Sequence, residues 1–391
     1  MPDHKSAEDL ARVGVRFLGG PPTESRRAMR FQIEKSELMK ALRAARIADG
    51  RMVPLLGNVK ITATGSDCRI SGADERIYLS CDAHIESVCD CESVLVGAKQ
   101  LVAAAKAMPD GALIVAEKDG GIEISQGKAR VKIPRLGEAT AADFPPHPYI
   151  DEDAIVSKIP RVALLRTVRS ARYAMANDWG RPHLSGILLA LEPGKLRAVA
   201  TDGHRLAMAD AAASIRVTAS ALIPFAAVGE LVGILESSED ELVNIAVSAR
   251  QAHFGVDGSD LCTRLISEVF PPYQKVIPST WAQAVSVDAS ELNGALKRVS
   301  SVLSNRSAAV RLELERGEPT LRLASSDKDT AASAEDFVAL AGAADASISV
   351  HVSGAYLAET LATIGAGQIE IRVSKELDPV VIAAGEDVHV I

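Results

Sequence analysis

The stretch Ala198-Val199-Ala200-Thr201-Asp202-Gly203-His204-Arg205-Leu206-Ala207-Met208-Ala209 is the most informative part of this chain. An alternating apolar run leads into a polar Thr-Asp-Gly-His-Arg segment, and a second short apolar run leads out of it. This pattern is typical of two strands joined by a tight turn at Asp-Gly. The turn also brings an acid, an imidazole and a guanidinium close together, which favours a functional site over a plain hairpin.

Three interpretations of the turn remain open from the residues alone. In a hydrolase, His204 would be a general base oriented by Asp202, although no nucleophile is evident nearby. In a binding protein, the turn would form the wall of a pocket. In a plain hairpin, Asp202-Gly203 would only make the turn, and His204 and Arg205 would be solvated.

The composition is that of a globular protein with two or three domains. The chain has 391 residues, of which 47% are hydrophobic and 24% charged. No stretch approaches the roughly 18 apolar residues of a membrane span, and Met1–Met29 lacks the apolar segment of a secretory signal. We therefore expect a cytoplasmic protein with no membrane partner.

Metal and cofactor sites are not indicated. The five cysteines, of which Cys89 and Cys91 form the only close pair, fit no zinc framework, and we expect reduced structural thiols. No phosphate-binding GxxxxGK[ST] motif is present. The net charge of −8 excludes a protein that binds nucleic acid with its whole surface. Any DNA binding would be local, through a basic face on an acidic body, or topological.

A repeat of about one third of the chain is the second major signal. A short strand followed by an amphipathic helix occurs three times, at 37–48, 161–176 and 289–303, and the aligned residues Leu38, Leu164 and Leu292 lie 126 and 128 residues apart. A second helix recurs at 98–108, 226–235 and 354–364. Phe144-Pro145-Pro146 and Phe270-Pro271-Pro272 recur at the same period. Several features repeating at one period predict three homologous α+β domains, each with two helices on short strands.

Thr-Asp-Gly-His-Arg-Leu at 201–206, Leu184-Ser185-Gly186-Ile187-Leu188-Leu189 and the string 270–278, FPPYQKVIP, together resemble the bacterial sliding clamp, the beta subunit of DNA polymerase III. The resemblance covers the chain from about Met29 onward. It implies three clamp domains at 29–148, 149–278 and 279–391 after a flexible extension at 1–28. It also implies a six-domain ring formed as a head-to-tail homodimer.

The resemblance implies a non-enzymatic processivity factor. Such a ring encircles duplex DNA without sequence preference, is opened by a clamp loader, and tethers polymerase subunits that insert a short apolar motif into a groove. The implied groove residues are Leu184, Thr201, Gly203, His204, Arg205, Leu206, Pro271, Val276 and Val390. The implied dimer seam contains Val302 and Leu303, for which an ordinary core position is the alternative.

Basic residues concentrate on the first helix of each repeat, which favours a DNA-facing helix layer in this acidic chain. A merely solvated helix face is the alternative. The expected DNA-facing residues are Lys40, Arg43, Arg46, Arg51, Arg166, Arg169, Arg172, Arg181, Lys297 and Arg298. Arg51 and Arg181 are included because they lie near loop positions that contact duplex DNA in the family.

The chain departs from the family at two points. The family's last strand usually continues past the equivalents of Val390-Ile391 into Met-Pro-Met-Arg, and Pro272 stands where the family often has an acidic residue. From these departures we expect weakened or altered binding of partners. A specialised clamp paralogue with altered partner or inhibitor binding is therefore the first alternative function, and a His/Asp hydrolase is the remote one.

Overall fold

The computed structural model describes residues 28–135, 138–177, 180–305, 308–327 and 329–391. Nearly all of the expected N-terminal extension therefore lies outside the described residues. In the described part, no helix is long and apolar enough to cross a membrane. The α-helices are α1 (Lys35–Ala41), α2 (Ala98–Ala107), α3 (Arg161–Arg172), α4 (Phe225–Ser237), α5 (Ala289–Ser300) and α6 (Gly354–Ile364).

The described chain also contains 22 strands, which form four sheets. They are β1 (Arg30–Glu34), β2 (Asn58–Ala73), β3 (Ile77–Gly97), β4 (Ala112–Lys118), β5 (Gly121–Gln126), β6 (Ala129–Ile133), β7 (Ile155–Pro160), β8 (Gly186–Glu192), β9 (Lys195–Thr201), β10 (Leu206–Ala212), β11 (Ala219–Pro224), β12 (Leu242–Val247), β13 (Gln251–Val256), β14 (Ser259–Arg264), β15 (Gln283–Asp288), β16 (Ala309–Leu314), β17 (Thr320–Ser326), β18 (Ser333–Ala339), β19 (Ile348–Ser353), β20 (Gln368–Val373), β21 (Val381–Ala384) and β22 (Asp387–Val390).

Two compact units divide the chain. The first runs up to Lys158 and includes Gly233–Arg264, and the second comprises Ile159–Val232 and Leu265–Ile391. The first contains the sheets β1-β4-β5-β6 and β2-β3-β14-β13-β12-β7, the second the sheets β11-β8-β9-β10-β22-β21-β20-β15 and β18-β17-β16-β19. The predicted α+β class, with two helices on antiparallel sheets in each of three repeats, is confirmed.

The predicted hairpin at 198–209 is present, and its turn chemistry occurs in all three repeats. Oδ1 of Asp202 accepts from the backbone N–H groups of the residues two and three positions later, at 2.9 and 3.0 Å. Asp74 and Asp327 accept in the same way. An aspartate that satisfies two turn N–H groups stabilises a tight turn locally. The three turns are therefore one local device used three times.

A cross-strand ion pair aligns the first two repeats. Arg69 Nε lies 2.6 Å from Asp82 Oδ1 across β2 and β3, and Arg197 Nη2 lies 2.6 Å from Asp210 Oδ2 across β9 and β10. In the third repeat the arginine is kept as Arg322, but its cross-strand partner is an exposed Phe337. These pairs fix which residues of the three repeats are equivalent.

Several predicted bounds were wrong. The first helix, expected over 37–48, is α-helical only over Lys35–Ala41 and continues as a 3₁₀ helix over Leu42–Arg46. This tighter segment lies against β2, where a Cβ on Gly72 would stand 1.9 Å from the Ala44 carbonyl oxygen. Glycine at this position therefore allows the close approach of helix and strand.

The other differences concern where elements end. Helices α3 and α5 end at Arg172 and Ser300, earlier than expected, so Val302 and Leu303 follow a helix and are not part of it. The short strand expected at 94–96 is the end of the 21-residue β3. In the first repeat, two strands that are separate in the other repeats form one continuous strand.

Candidate functional site

The Thr201–Leu206 turn is held by its own side chains. Thr201 Oγ1 donates to the Arg205 carbonyl at 2.6 Å and accepts from the Gly203 N–H at 3.1 Å. Gly203 has φ +88°, a conformation that favours glycine. Arg181 Nη1 also donates to the Asp202 carbonyl at 2.9 Å. The turn is thus a rigid wall rather than a loose loop.

This turn borders a cavity of about 880 Å³ in the second unit. All nine residues expected in the groove line it: Leu184, Thr201, Gly203, His204, Arg205, Leu206, Pro271, Val276 and Val390. The sequence did not predict the further lining residues His183, Pro272, Tyr273, Lys275, His351, Glu376, Leu377, Asp378, Pro379 and Ile391. Of these, Pro272 and Tyr273 adjoin the recognised Pro271, whereas Leu377 carries no signal in the sequence.

An apolar cluster forms the floor of the cavity. Leu206 on β10 stands opposite Val390 on β22, and both belong to a buried cluster with Val199, Tyr273 and Val381. The rim is mixed and open: the apolar side chains of Val276 and Leu377 are 51% and 96% exposed, and exposed Lys275 and Glu376 lie beside them in the lining. Exposed apolar side chains beside an apolar floor are suited to a short apolar peptide segment.

Arg205 is a structural part of the wall. Its side chain is only 9% exposed, and its Nη1 lies 2.6 Å from Glu359 Oε2 on α6. Nη2 donates to the Tyr173 carbonyl at 2.8 Å, and Nε lies 3.1 Å from Asp202 Oδ2. The guanidinium carbon lies 5.1 and 4.7 Å from the ring centroids of Tyr173 and Tyr356. Arg205 therefore fastens the turn to α6.

A buried chain of hydrogen bonds continues behind the wall. Tyr173 Oη lies 3.0 Å from both His389 Nδ1 and Thr360 Oγ1, and Thr360 Oγ1 donates to the Tyr356 carbonyl. The hydroxyl proton of Thr360 is used in that hydrogen bond, so Thr360 Oγ1 accepts from the Tyr173 hydroxyl. The Tyr173 oxygen in turn accepts from Nδ1–H of His389. Nε2 of His389 is buried and has no hydrogen-bond partner among the described residues, and burial lowers the pKa of His389 to about 4.

The turn does not assemble a general-base pair. The Asp202 carboxylate is used by the backbone N–H groups of His204 and Arg205 and by the Arg205 guanidinium. The His204 ring is exposed and stacks on Tyr356, with a centroid distance of 6.4 Å. No group of three or more metal-ligating side chains occurs among the described residues. The geometry is thus that of a binding wall.

The equivalent position in the first unit is filled. Tyr78 stands opposite Cys262 there, as Leu206 stands opposite Val390, but the Tyr78 ring packs beside Phe144 and His147, with centroid distances of 6.4 and 5.1 Å. His147 Nε2 in turn lies 2.6 Å from Asp260 Oδ2. Burial raises the pKa of the Cys262 thiol to about 12, so this cysteine is an inert core group.

Most of the expected DNA-facing residues are exposed: Lys40, Arg46, Arg51, Arg166, Arg169, Arg172, Lys297 and Arg298. Several also have acidic neighbours, with Lys40 near Glu37, Arg51 near Asp49, Arg166 near Asp387 and Arg298 near Asp336. The remaining two are half-buried. Arg181 supports the turn, and Arg43 has a buried Nη1 that lies 3.0 Å from where a Cβ on Gly233 would stand.

The two seam residues differ in environment. Leu303 belongs to the buried core of the third repeat, whereas Val302 is half-buried. In the described chain, one strand of the first unit and one strand of the second are candidates for pairing between copies, since each has an unpaired edge. β3 of the first repeat pairs with β14, and β10 of the second repeat pairs with β22. β18 is the third-repeat equivalent of β3 and β10, and β6 is the equivalent of β14 and β22. Both β18 and β6 lie at the end of a sheet.

Comparison with known proteins covers nearly all of the described chain. Residues 29–148, 158–272 and 274–391 match the N-terminal, central and C-terminal domains of the DNA polymerase III beta subunit. The chain is 29% identical over 306 residues to the beta sliding clamp of Caulobacter vibrioides, covering 75% of this chain and 80% of the relative. It is 26% identical over 353 residues to that of Pseudomonas aeruginosa, covering 88% and 93%.

Solved structures show the same fold. The Pseudomonas aeruginosa sliding clamp bound to griselimycin superposes with a TM-score of 0.85 at 24% identity, covering 93% of this chain and 98% of that one. The Bacillus subtilis clamp superposes with a TM-score of 0.85 at 22% identity and the same coverage.

Proposed function

This chain belongs to the DNA polymerase III beta subunit family, the bacterial sliding clamps, and we propose that it is a processivity factor whose cavity in the second unit receives the apolar motif of partner proteins. The three domains are 29–148, 149–278 and 279–391. The strongest support is that all nine groove residues line one cavity with an apolar floor. Polymerase subunits and a clamp loader are the proposed partners, and the function requires no catalytic residue in this chain.

The peptide site is tested by fluorescence-polarisation titration with a labelled peptide that carries a bacterial clamp-binding motif. Val276 is exposed, so Val276→Asp should fold normally and yet lose most of the affinity by placing a charge on the apolar rim. Val156→Asp is the matched control, since Val156 is 40% exposed and does not line the cavity. Absence of binding by the natural chain would favour a specialised clamp paralogue with different partners.

Duplex DNA would be held topologically, with contacts from the basic residues of α1, α3 and α5 that remain exposed. Such contacts release counter-ions and do not read sequence. The test is retention after loading onto nicked circular DNA. A clamp should stay on the circle at high salt and leave within seconds after the circle is linearised. Equal loss from both DNAs would exclude encirclement.

Two copies would form the ring by pairing β18 of one with β6 of the other. β18 carries Glu335 and Asp336, and β6 carries Arg130 and Lys132, so the edges have opposite charge. Ser80 lies opposite Asp260 in the first unit, and Met208 lies opposite Val388 in the second. The residues at the same repeat positions on β18 and β6 are Glu335 and Arg130, so these two would lie opposite each other across the seam. Opposite charges directly across an antiparallel pair stabilise it.

This register is tested by oxidative cross-linking of a Glu335→Cys/Arg130→Cys variant. Directly opposite residues lie within disulfide range, so two cross-links should join the copies into a closed dimer. Each single variant is the control for reaction through the native cysteines. A dimer in solution that does not cross-link would place the seam elsewhere.

A further inference from the structure

A second cavity, of about 660 Å³, lies on the outer face of the third-repeat sheet in the second unit. Its floor is formed where strands β17, β16 and β19 place Ala324, Arg311 and His351 directly opposite one another. Ala309 and Ala324 have short side chains, so the sheet face is recessed between longer polar neighbours. We refer to this recess as the outer basin.

The two arginines of the outer basin are in different states. Arg322 is paired with two carboxylates, because its guanidinium nitrogens lie 2.7 Å from Glu313 Oε2 and 2.6 Å from Glu335 Oε2. Arg311 has one ion pair in the described chain, from Nε to Glu313 Oε1 at 3.2 Å, and its side chain is 40% exposed. Both Nη atoms of Arg311 are therefore available as a fork for a carboxylate.

His351 connects the two cavities. It lines both the outer basin and the apolar cavity beside the Thr201–Leu206 turn, and it is exposed. Because the two cavities share His351, a peptide that extends out of the apolar cavity past this side chain would reach the basin. On this path it meets the open fork of Arg311, while the one carboxylate in the lining, Glu335, is already paired with Arg322.

We propose that the outer basin binds an acidic segment that directly adjoins the apolar motif of a partner protein. Arg311 takes an Asp or Glu carboxylate through its Nη atoms, and His351 donates to the same segment. The inference rests on the proposed peptide site. It adds a determinant of partner choice, because two partners with the same apolar motif would differ in affinity through their flanking residues.

The test compares three labelled peptides: the bare motif, the motif with Asp and Glu residues added at either end, and the same extensions with Asn and Gln. At low salt the acidic extension at one end should raise the affinity of the natural chain about three- to tenfold. The amide extension should not. Arg311→Gln should remove this gain and leave the affinity for the bare motif unchanged.

Arg216→Gln is the matched control, since Arg216 is exposed and does not line either cavity. The proposal is overturned if the acidic extension adds no affinity, or if Arg311→Gln and Arg216→Gln keep the gain equally. Failure of the bare motif to bind would instead reject the peptide site and, with it, the basin. A further outcome is that duplex DNA displaces the peptide from the natural chain but not from Arg311→Gln, while the acidic extension adds no affinity. This result would assign the basin to phosphate binding and would also overturn the proposal.

Discussion

Arg205 Nη1 lies 2.6 Å from Glu359 Oε2, although 154 residues separate the two in the chain. The contact joins the hairpin turn of the second repeat to the second helix of the third. The two tyrosine rings beside the guanidinium, Tyr173 and Tyr356, come from different repeats as well. The wall of the proposed peptide site is therefore also a joint between repeats.

Arg205→Ala should weaken this joint. It removes two ion pairs, two ring contacts and a hydrogen bond from a side chain that is only 9% exposed. We expect the free energy of unfolding to fall by about 1–3 kcal/mol, measured by urea denaturation. Glu359→Gln is the control, since Glu359 is 53% exposed and its amide can still accept, so a loss under about 1 kcal/mol is expected. An unchanged midpoint for Arg205→Ala would show that the guanidinium does not hold the turn.

Stability should fall as the pH drops from 6.5 towards 4. Burial lowers the pKa of His389 to about 4 from 6.5, so between these values the unfolded chain binds a proton that the folded chain does not. This one group should remove about 2 kcal/mol of stability between pH 7 and pH 5. Urea midpoints measured across this range should fall less in His389→Leu than in the natural chain. His253, whose pKa burial also lowers, should contribute in the same direction, and equal slopes in both proteins would exclude His389 as a source.

Gly72→Ala should be strongly destabilising. The added Cβ would stand 1.9 Å from the Ala44 carbonyl oxygen, so helix and strand would have to separate. A loss of about 2–4 kcal/mol is expected from thermal or urea unfolding. Gly229→Ala is the matched control in α4, where a Cβ meets nothing within 4 Å, and it should be neutral or slightly stabilising. Similar losses in both variants would contradict the close-approach explanation.

Arg172→Gln/Lys297→Gln should weaken DNA association and leave peptide binding unchanged. Both residues are exposed, and they lie on α3 and α5, the first helices of their repeats. If each contacts a phosphate in both copies of the proposed dimer, four contacts are lost and the slope of log affinity against log salt should become shallower by about 3–4. Arg216→Gln/Arg250→Gln changes the net charge equally at two other exposed positions. If the control variant shows the same change in slope, the effect comes from net charge and not from the positions of Arg172 and Lys297.

The repeat was accessible from the sequence because its markers lie in regular elements and local turns. Leu38, Leu164 and Leu292 are all buried on first helices, and the Asp202 turn is fixed by its own neighbours. Leu377 was missed because it follows no strand or helix period, and only the fold brings its loop to the cavity. The 3₁₀ segment at Leu42–Arg46 was missed for a related reason, since the glycine that accommodates it, Gly72, is about 30 residues away.

The packing of Tyr78 against Phe144 and His147 has a consequence for how partner proteins share the ring on DNA. In the described chain, the second repeat presents an open groove, while the equivalent place in the first repeat is occupied by the chain's own aromatic ring. In the proposed ring, two partners that use the groove of the second repeat, such as a polymerase and a repair protein, would have to bind separate copies or bind one copy in turn. A new partner could then bind a given copy only after the previous one had dissociated, so the dissociation rate of each occupant would limit how quickly one activity replaces another.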